Sequence, residues 1–226
     1  MPYSNGFRTL PDARRALVLS VGACLLACLL GALSPAPTRA QELTVEALLA
    51  RFARIERMSC TYREEKRIAL LSSPIVTSGT IHYARPDRMA RRVTAPSEQV
   101  LLLEGSTLRM GDRRSVETID LASQPVVRSF VDGIVLLLRG DRAGLERTYR
   151  VSLQSSGQAW TLVLRPRVSP LDRFLSEMRF EGDEGGLRRM SMDEVSGDTT
   201  TTVFSDVHFD QPWTAAERAR IFSMPR

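Results

Sequence analysis

From Gly79 to Met110 the chain reads GTIHYARPDRMARRVTAPSEQVLLLEGSTLRM, and Pro86, Pro96 and Gly105 cut it into short runs. A proline inside a helix removes a hydrogen bond and clashes with the preceding turn, and it pushes the residue before it toward extended backbone. The segment therefore cannot be a helix of ordinary length. It reads as consecutive strands joined by tight turns, with much apolar surface and few residues of catalytic type. Such a stretch predicts an antiparallel sheet that presents a surface, not a scaffold built around a reactive group.

The flanking sequence extends the pattern. Met58 to Leu70 is expected as a strand, with Cys60, Tyr62, Ile68 and Leu70 on one parity. Glu64 and Lys66 interrupt that face, so part of it is expected at an edge or open to water. Ile75 to Arg85, Arg88 to Thr94, Gln99 to Glu104, Thr107 to Met110 and Arg114 to Leu121 follow as strands. The C-terminal half repeats the habit at Thr148 to Gln154, Trp160 to Arg165, Leu175 to Glu181, Leu187 to Asp193 and Thr199 to Phe204, with glycine-containing turns between several of them. The fold class expected is mainly β (α+β), a large antiparallel sheet or open barrel.

Three helices are expected beside it. Thr44 can cap one from Val45 to about Arg57. Pro125 suits a first helical position, and Val127, Phe130, Val131, Ile134, Leu137 and Leu138 follow at spacings of three and four before Gly140. That helix is greasier than a one-sided surface helix needs, so it is deeply buried or has a second apolar partner. Trp213 to Met224 can add a short terminal helix.

The first forty residues differ from the rest. Arg8, Arg14 and Arg15 precede an apolar run from Ala16 to Leu33, and Pro35, Pro37 and Thr38-Arg39-Ala40 follow. This is the layout of a secretory signal peptide, with cleavage expected after Ala40 and a single domain over residues 41–226. Leu25-Leu26-Ala27-Cys28 offers the other reading, a lipobox acylated at Cys28. Beyond Ala40 there are 27 basic and 25 acidic residues, a net charge near +2 against +5 for the whole chain. The arginines are dispersed, which is not a nucleic-acid footprint. Cys60 is the one cysteine after the leader, so an internal disulfide is excluded there, and it reads as a small core hydrophobe.

Chemistry is sparse. His82 and His208 have no paired-ligand spacing, and there is no HExxH, nucleophile elbow or phosphate loop. No metal, no cofactor and no enzymatic activity are expected. Gly182 to Gly186 reads as a solvated hairpin, Asp193-Glu194 and Asp198 as turn residues, and Arg91-Arg92 and Arg188-Arg189 as solvated strand faces. Arg85, before Pro86, has two readings: a rim arginine bonded to carbonyls or water, or a latch reaching from the sheet to a mobile cover.

An N-terminal helix, then Tyr62-Arg63-Glu64-Glu65-Lys66, then Gly79-Thr80-Ile81-His82-Tyr83-Ala84-Arg85-Pro86-Asp87-Arg88, Ala95-Pro96 and Leu103-Glu104-Gly105 occur in that order. The order resembles the LolA-type outer-membrane lipoprotein carriers. The resemblance implies an incomplete curved antiparallel barrel, closed by lid helices around an apolar cavity. It implies a monomeric periplasmic carrier that takes acylated lipoprotein, or a related lipid, from an inner-membrane ATP-driven extractor to an outer-membrane receptor. Arg85 would be the lid latch. Val127, Phe130, Val131, Ile134 and Leu137 would be the lid's apolar face, and Met89, Val93, Leu101, Leu103 and Met110 would belong to the cavity wall. The chain departs from the family pattern where aromatic residues are expected, reading Met89-Ala90-Arg91 and Leu108-Arg109-Met110, so an aliphatic and thioether lining is expected. A membrane-anchored acceptor lipidated at Cys28 and a periplasmic lipid sensor are the alternatives.

Overall fold

The computed structural model describes residues 43–225; the expected cleavage at Ala40 and the lipobox at Cys28 lie outside them. Helix α1, Val45–Phe52, opens on Thr44, whose hydroxyl accepts from the Ala47 amide at 3.1 Å. It ends well before Arg57, where the sequence pattern placed its end. Six strands follow: β1 (Arg57–Arg67), β2 (Ile75–Ala84), β3 (Arg88–Ala95), β4 (Gln99–Glu104), β5 (Thr107–Gly111) and β6 (Val116–Asp120). Helices α2 (Pro125–Arg139) and α3 (Arg142–Thr148) come next. Strands β7 (Tyr149–Ser156), β8 (Ala159–Pro166), β9 (Leu175–Asp183), β10 (Gly186–Glu194) and β11 (Thr199–Phe209) lead to α4 (Ala215–Ile221).

All eleven strands join one antiparallel sheet in the order β6-β5-β4-β3-β2-β1-β11-β10-β9-β8-β7. The two halves of the chain thus meet where β1 pairs with β11, and β6 and β7 are left as unjoined edges. The sheet curves without closing, an incomplete barrel. At Gly79 a register shift between β2 and β3 brings the strands so close that a Cβ would lie 1.8 Å from the Arg92 carbonyl oxygen. Only glycine fits there.

The pairing corrects the reading of β1. It is no edge strand: Glu64 sits opposite Thr77 on one side and Thr202 on the other, and Lys66 sits opposite Ile75 and Thr200. Strand β11 runs to Phe209, beyond the expected end at Phe204. Asp206 takes a left-handed φ of 48° near an irregularity in the β1–β11 register, so the polar end of the strand stays paired despite its broken alternation. Helix α3 was not anticipated; seven residues are too few to show a helical period, and its start is fixed by Asp141 accepting from the Gly144 amide at 2.8 Å.

Three apolar clusters hold the layers. The largest joins α1, the end of α2 and α3 to β1 and β7–β11, through Leu48, Leu49, Phe52, Leu137, Leu138, Leu145, Leu162, Leu164 and Phe180. Cys60 lies in it, and burial pushes its thiol up to about 11, so it remains a protonated core residue. A second joins α2 to β4 and the turn before it through Val135, Leu103 and Leu121. The third packs α4 against the other face of the sheet through Ile221, Phe222, Ala84, Ala90, Val100 and Leu102. Arg92 serves that face: its guanidinium donates to the carbonyls of Arg220, Ile221 and Ser223 at the end of α4, where the helix dipole favours a cation. It is an anchor, not a solvated residue.

His82 lies on the same face, its ring 5.8 Å from Trp213. Burial, and then the nearby Arg92 and Arg220, hold its pKa below the ordinary 6.5. Below about pH 6.5 the unfolded chain takes this proton before the folded one, so stability falls as pH drops, by at most about 1.4 kcal/mol per pH unit until the folded-state pKa is reached. Urea unfolding at pH 7.0 and 5.5 should show this loss in the wild type, with a smaller loss in His82→Gln.

Candidate functional site

Helix α2 carries two apolar faces, which accounts for its excess of apolar residues. Pro125 starts it, and Gly140 ends it at a left-handed φ of 68°. Phe130, Ile134, Leu137 and Leu138 face a cavity against the sheet. Val127, Val131 and Val135 instead pack with Leu103, Leu108, Ile119 and Leu121 above β4–β6. The solvent side bears an Arg128–Asp132 ion pair at 2.9 Å. Buried Tyr149, at the start of β7, donates to the Ser129 carbonyl at 2.8 Å and ties the helix down.

The cavity measures about 290 Å³ and lies between α2 and the concave wall. Met58, Ile81 and Met89 line it from β1–β3, and Phe180, Leu187, Met190, Met192 and Phe204 from β9–β11. Its volume is at the small end of the range for ligand pockets, roughly 300–1,000 Å³. Four of the twelve apolar residues that line it are methionines, Met58, Met89, Met190 and Met192, which give an adaptable lining. The expected aliphatic and thioether lining is therefore incomplete. Phe130, Phe180 and Phe204 supply aromatic surface from α2 and the C-terminal strands, not from the stretch after Arg85-Pro86.

Of the residues expected at the site, Phe130, Ile134, Leu137 and Met89 line the cavity. Val127, Val131 and Leu103 form the neighbouring cluster under the other face of α2. Leu101 and Met110 are cross-strand partners outside the lining, and Val93 is buried opposite Gly79 and Gln99, also outside it.

A polar group on the wall was not foreseen. Alternation sends Arg91 into the concave face and Arg92 out of it, so Arg91 is not on a solvated face. Arg91 pairs with Glu64 at 2.7 Å, donates to the Tyr62 hydroxyl at 3.0 Å and Thr77 at 3.3 Å, and lies 4.6 Å over the Tyr62 ring. Glu64 also accepts from the Thr202 hydroxyl at 3.0 Å. One step along, Lys66 pairs with Glu194 at 2.9 Å. The parity of Tyr62, Glu64 and Lys66 carried the signal. In a strand paired on both sides, residues of one parity share a face whatever their charge.

Arg85 has its hydrogen bonds at the end of α1. It donates to the carbonyls of Phe52 at 3.3 Å, Ala53 at 2.6 Å and Ile55 at 3.1 Å, and Glu56 lies at 3.4 Å. These carbonyls have found a side-chain partner, which is why α1 stops there. Among the described residues, none of its hydrogen bonds goes to α2. The two helices touch beyond it: a Cβ on Gly140 would lie 2.3 Å from the Leu49 carbonyl oxygen and 2.7 Å from the Ala53 Cβ. Arg85 thus reaches the end of α2 through the end of α1.

Among the described residues no group of His, Cys, Asp and Glu side chains is placed to hold a metal, and no helix is long and apolar enough to cross a membrane. A curved open sheet with a helix over an adaptable apolar cavity defines an incomplete-barrel protein built around an apolar pocket. The chain belongs to the outer membrane lipoprotein carrier protein LolA-like family, whose model matches residues 36–220. It is 25% identical over 197 residues to an outer-membrane lipoprotein carrier protein of Azotobacter vinelandii, covering 85% of this chain and 90% of that one. Among solved structures it is similar to a LolA superfamily protein from Nitrosomonas europaea, with a TM-score of 0.43, 13% identity and coverage of 80% of this chain and 98% of that one. It is also similar to the lipoprotein LppX of Mycobacterium tuberculosis, with a TM-score of 0.42, 15% identity and coverage of 74% and 97%.

Truncating one partner of the wall's ion pair leaves the other charge half-buried and unmet, a cost of about 1–3 kcal/mol. Arg91→Met should therefore lower stability by that amount. Glu64→Leu combined with Arg91→Met should recover part of the loss, as read from urea midpoints.

Proposed function

We propose that the protein is a periplasmic carrier that shields the acyl chains of a lipoprotein, or of a related lipid, between the inner and outer membranes. The observation that carries this reading is the cavity under α2, apolar but roofed by a single helix. Sequestering a chain is worth about 0.8 kcal/mol per methylene, so a sixteen-carbon chain gains on the order of 12 kcal/mol. Release into water would be too slow for traffic, so cargo must pass directly from an extractor in one membrane to a receptor in the other. An apolar cavity that is empty between rounds must also be closed, because exposed apolar surface invites aggregation.

At about 290 Å³ the closed cavity does not hold several acyl chains. Loading a lipoprotein requires α2 to move off the wall. Arg85 is the latch in this reading, acting through the end of α1 on Gly140 at the end of α2. The expected residues fall into two groups: Phe130, Ile134, Leu137 and Met89 meet cargo, while Val127, Val131 and Leu103 form the contact that breaks on opening. Shielding and transfer require no bond-making, and the wall's charged groups are already paired with one another. The leader supports export, with cleavage after Ala40; in this reading the carrier works as a monomer. Exposed Leu70, Leu71 and Val195 stand on the turns next to Lys66 and Glu194, a surface suited to a donor or acceptor.

Protein isolated from its own host should carry lipid detectable by mass spectrometry after extraction. Arg85→Leu should keep the fold, shown by an unchanged circular dichroism spectrum, while exchanging a fluorescent acyl probe on the order of tenfold differently from wild type. A wild-type protein that neither carries nor accepts lipid would contradict the carrier reading.

A further inference from the structure

On the outer face of the sheet, the start of β1, the end of β2 and the chain around the start of α4 border a recess of about 190 Å³. Glu56, Arg57, Ala84, Arg85, Trp213 and Arg218 line it, so three guanidinium groups meet one carboxylate. Arg57 belongs to the outer face because its parity is opposite to that of buried Met58, and it pairs with Ala84, which packs on that face. Among the described residues neither Arg57 nor Arg218 makes a side-chain hydrogen bond or has a carboxylate within 4.0 Å. Of the Arg57 guanidinium only Nε is sealed from water, so its Nη groups are open and unmet. Arg85 commits Nε and Nη2 to the carbonyls at the end of α1 and leaves Nη1 unbonded. Glu56 lies 3.4 Å from Arg85 Nε, but its side chain is 65% exposed, so water screens much of its charge. Asp210 is outside the lining and accepts from the amides of Glu56 and Arg57 at 2.9 Å.

We propose that this recess binds a phosphate group, carried by a phospholipid headgroup or by a free phosphate. Cations of one sign gathered beside a low-dielectric wall concentrate the field and draw in a counter-ion. Trp213 supplies that wall, packed against His82 and Phe222 with ring centroids 5.8 and 5.9 Å away. Guanidinium forks match phosphate oxygens. A tetrahedral phosphate meets several guanidinium groups at once, whereas a planar carboxylate is satisfied by one. The volume lies below the roughly 300–1,000 Å³ of pockets for drug-sized ligands, so the recess takes a headgroup or a small ion, not a whole lipid. It stands on the opposite face of the sheet from the acyl cavity and does not depend on the carrier reading. A headgroup held there belongs to a membrane that the protein touches, not to cargo inside it.

The test combines calorimetric titration with inorganic phosphate and flotation with phosphatidylglycerol vesicles, both at one fixed ionic strength. Arg57→Gln and Arg218→Gln should each weaken binding on the order of tenfold, the loss of a charge-assisted hydrogen bond. Arg150→Gln, which removes an exposed arginine on β7 outside the recess, should leave binding unchanged. Vesicle binding that needs Arg57 and Arg218 assigns a lipid headgroup, and binding of inorganic phosphate alone assigns a free phosphate; either upholds the recess. Three results overturn it: a wild type that binds neither ligand, chloride that competes as well as phosphate, or recess variants that bind no more weakly than Arg150→Gln. Arg218 is exposed on α4, so Arg218→Gln decides even if Arg57→Gln does not fold.

Discussion

An antiparallel sheet that curves without closing leaves an apolar concave face, and that face must be covered. The strand order makes this unavoidable: β1 and β11 seal the middle, while β6 and β7 remain at opposite edges. Helix α2 is the cover. It sits across both halves, with Phe130, Ile134 and Leu137 over the β1 and β9–β11 side and Val127, Val131 and Val135 over β4–β6. Packing the second face completely and the first incompletely leaves the cavity. The outer face of the sheet is covered more simply, by α4 and its Arg92 anchor.

Arg91 and Glu64 give the wall a fixed polar feature that an oily pocket would lack. Such a pair contributes little net stability, because desolvation offsets much of the Coulomb attraction. In the proposed carrier it confines apolar cargo to the remaining surface, between Met58, Met89 and the C-terminal strands. Arg85 is a separate device at the other end of β1, holding the last carbonyls of α1 where they meet the end of α2.

Much of the architecture was legible in the sequence. Turn residues and short apolar runs placed nearly every strand, and Pro125 with Gly140 bracketed α2. The excess of apolar residues on α2 was visible, and its cause, two partners, became clear only in three dimensions. Other features depended on pairing. Nothing local in Tyr62-Arg63-Glu64-Glu65-Lys66 says that β1 is central, so its charged residues read as a face at an edge or open to water. Likewise Arg91-Arg92 is one dipeptide in sequence and two opposite faces in the sheet. The aromatic lining was missed because Phe180 and Phe204 belong to strands distant in sequence from the stretch that carried the family resemblance. Leu101 and Met110 were expected in the cavity wall, yet they pair with each other across β4 and β5 outside its lining.

The central claim is that acyl chains enter between α2 and the concave wall. Photo-crosslinking tests it most directly, with a photoreactive side chain replacing Ile134, on the cavity face of α2, or Arg128, on its solvent face. Incubated with an acylated lipoprotein carrying labelled chains, the protein should label from position 134 and not from position 128. Labelling that is equal from both positions, or confined to position 128, would contradict the account.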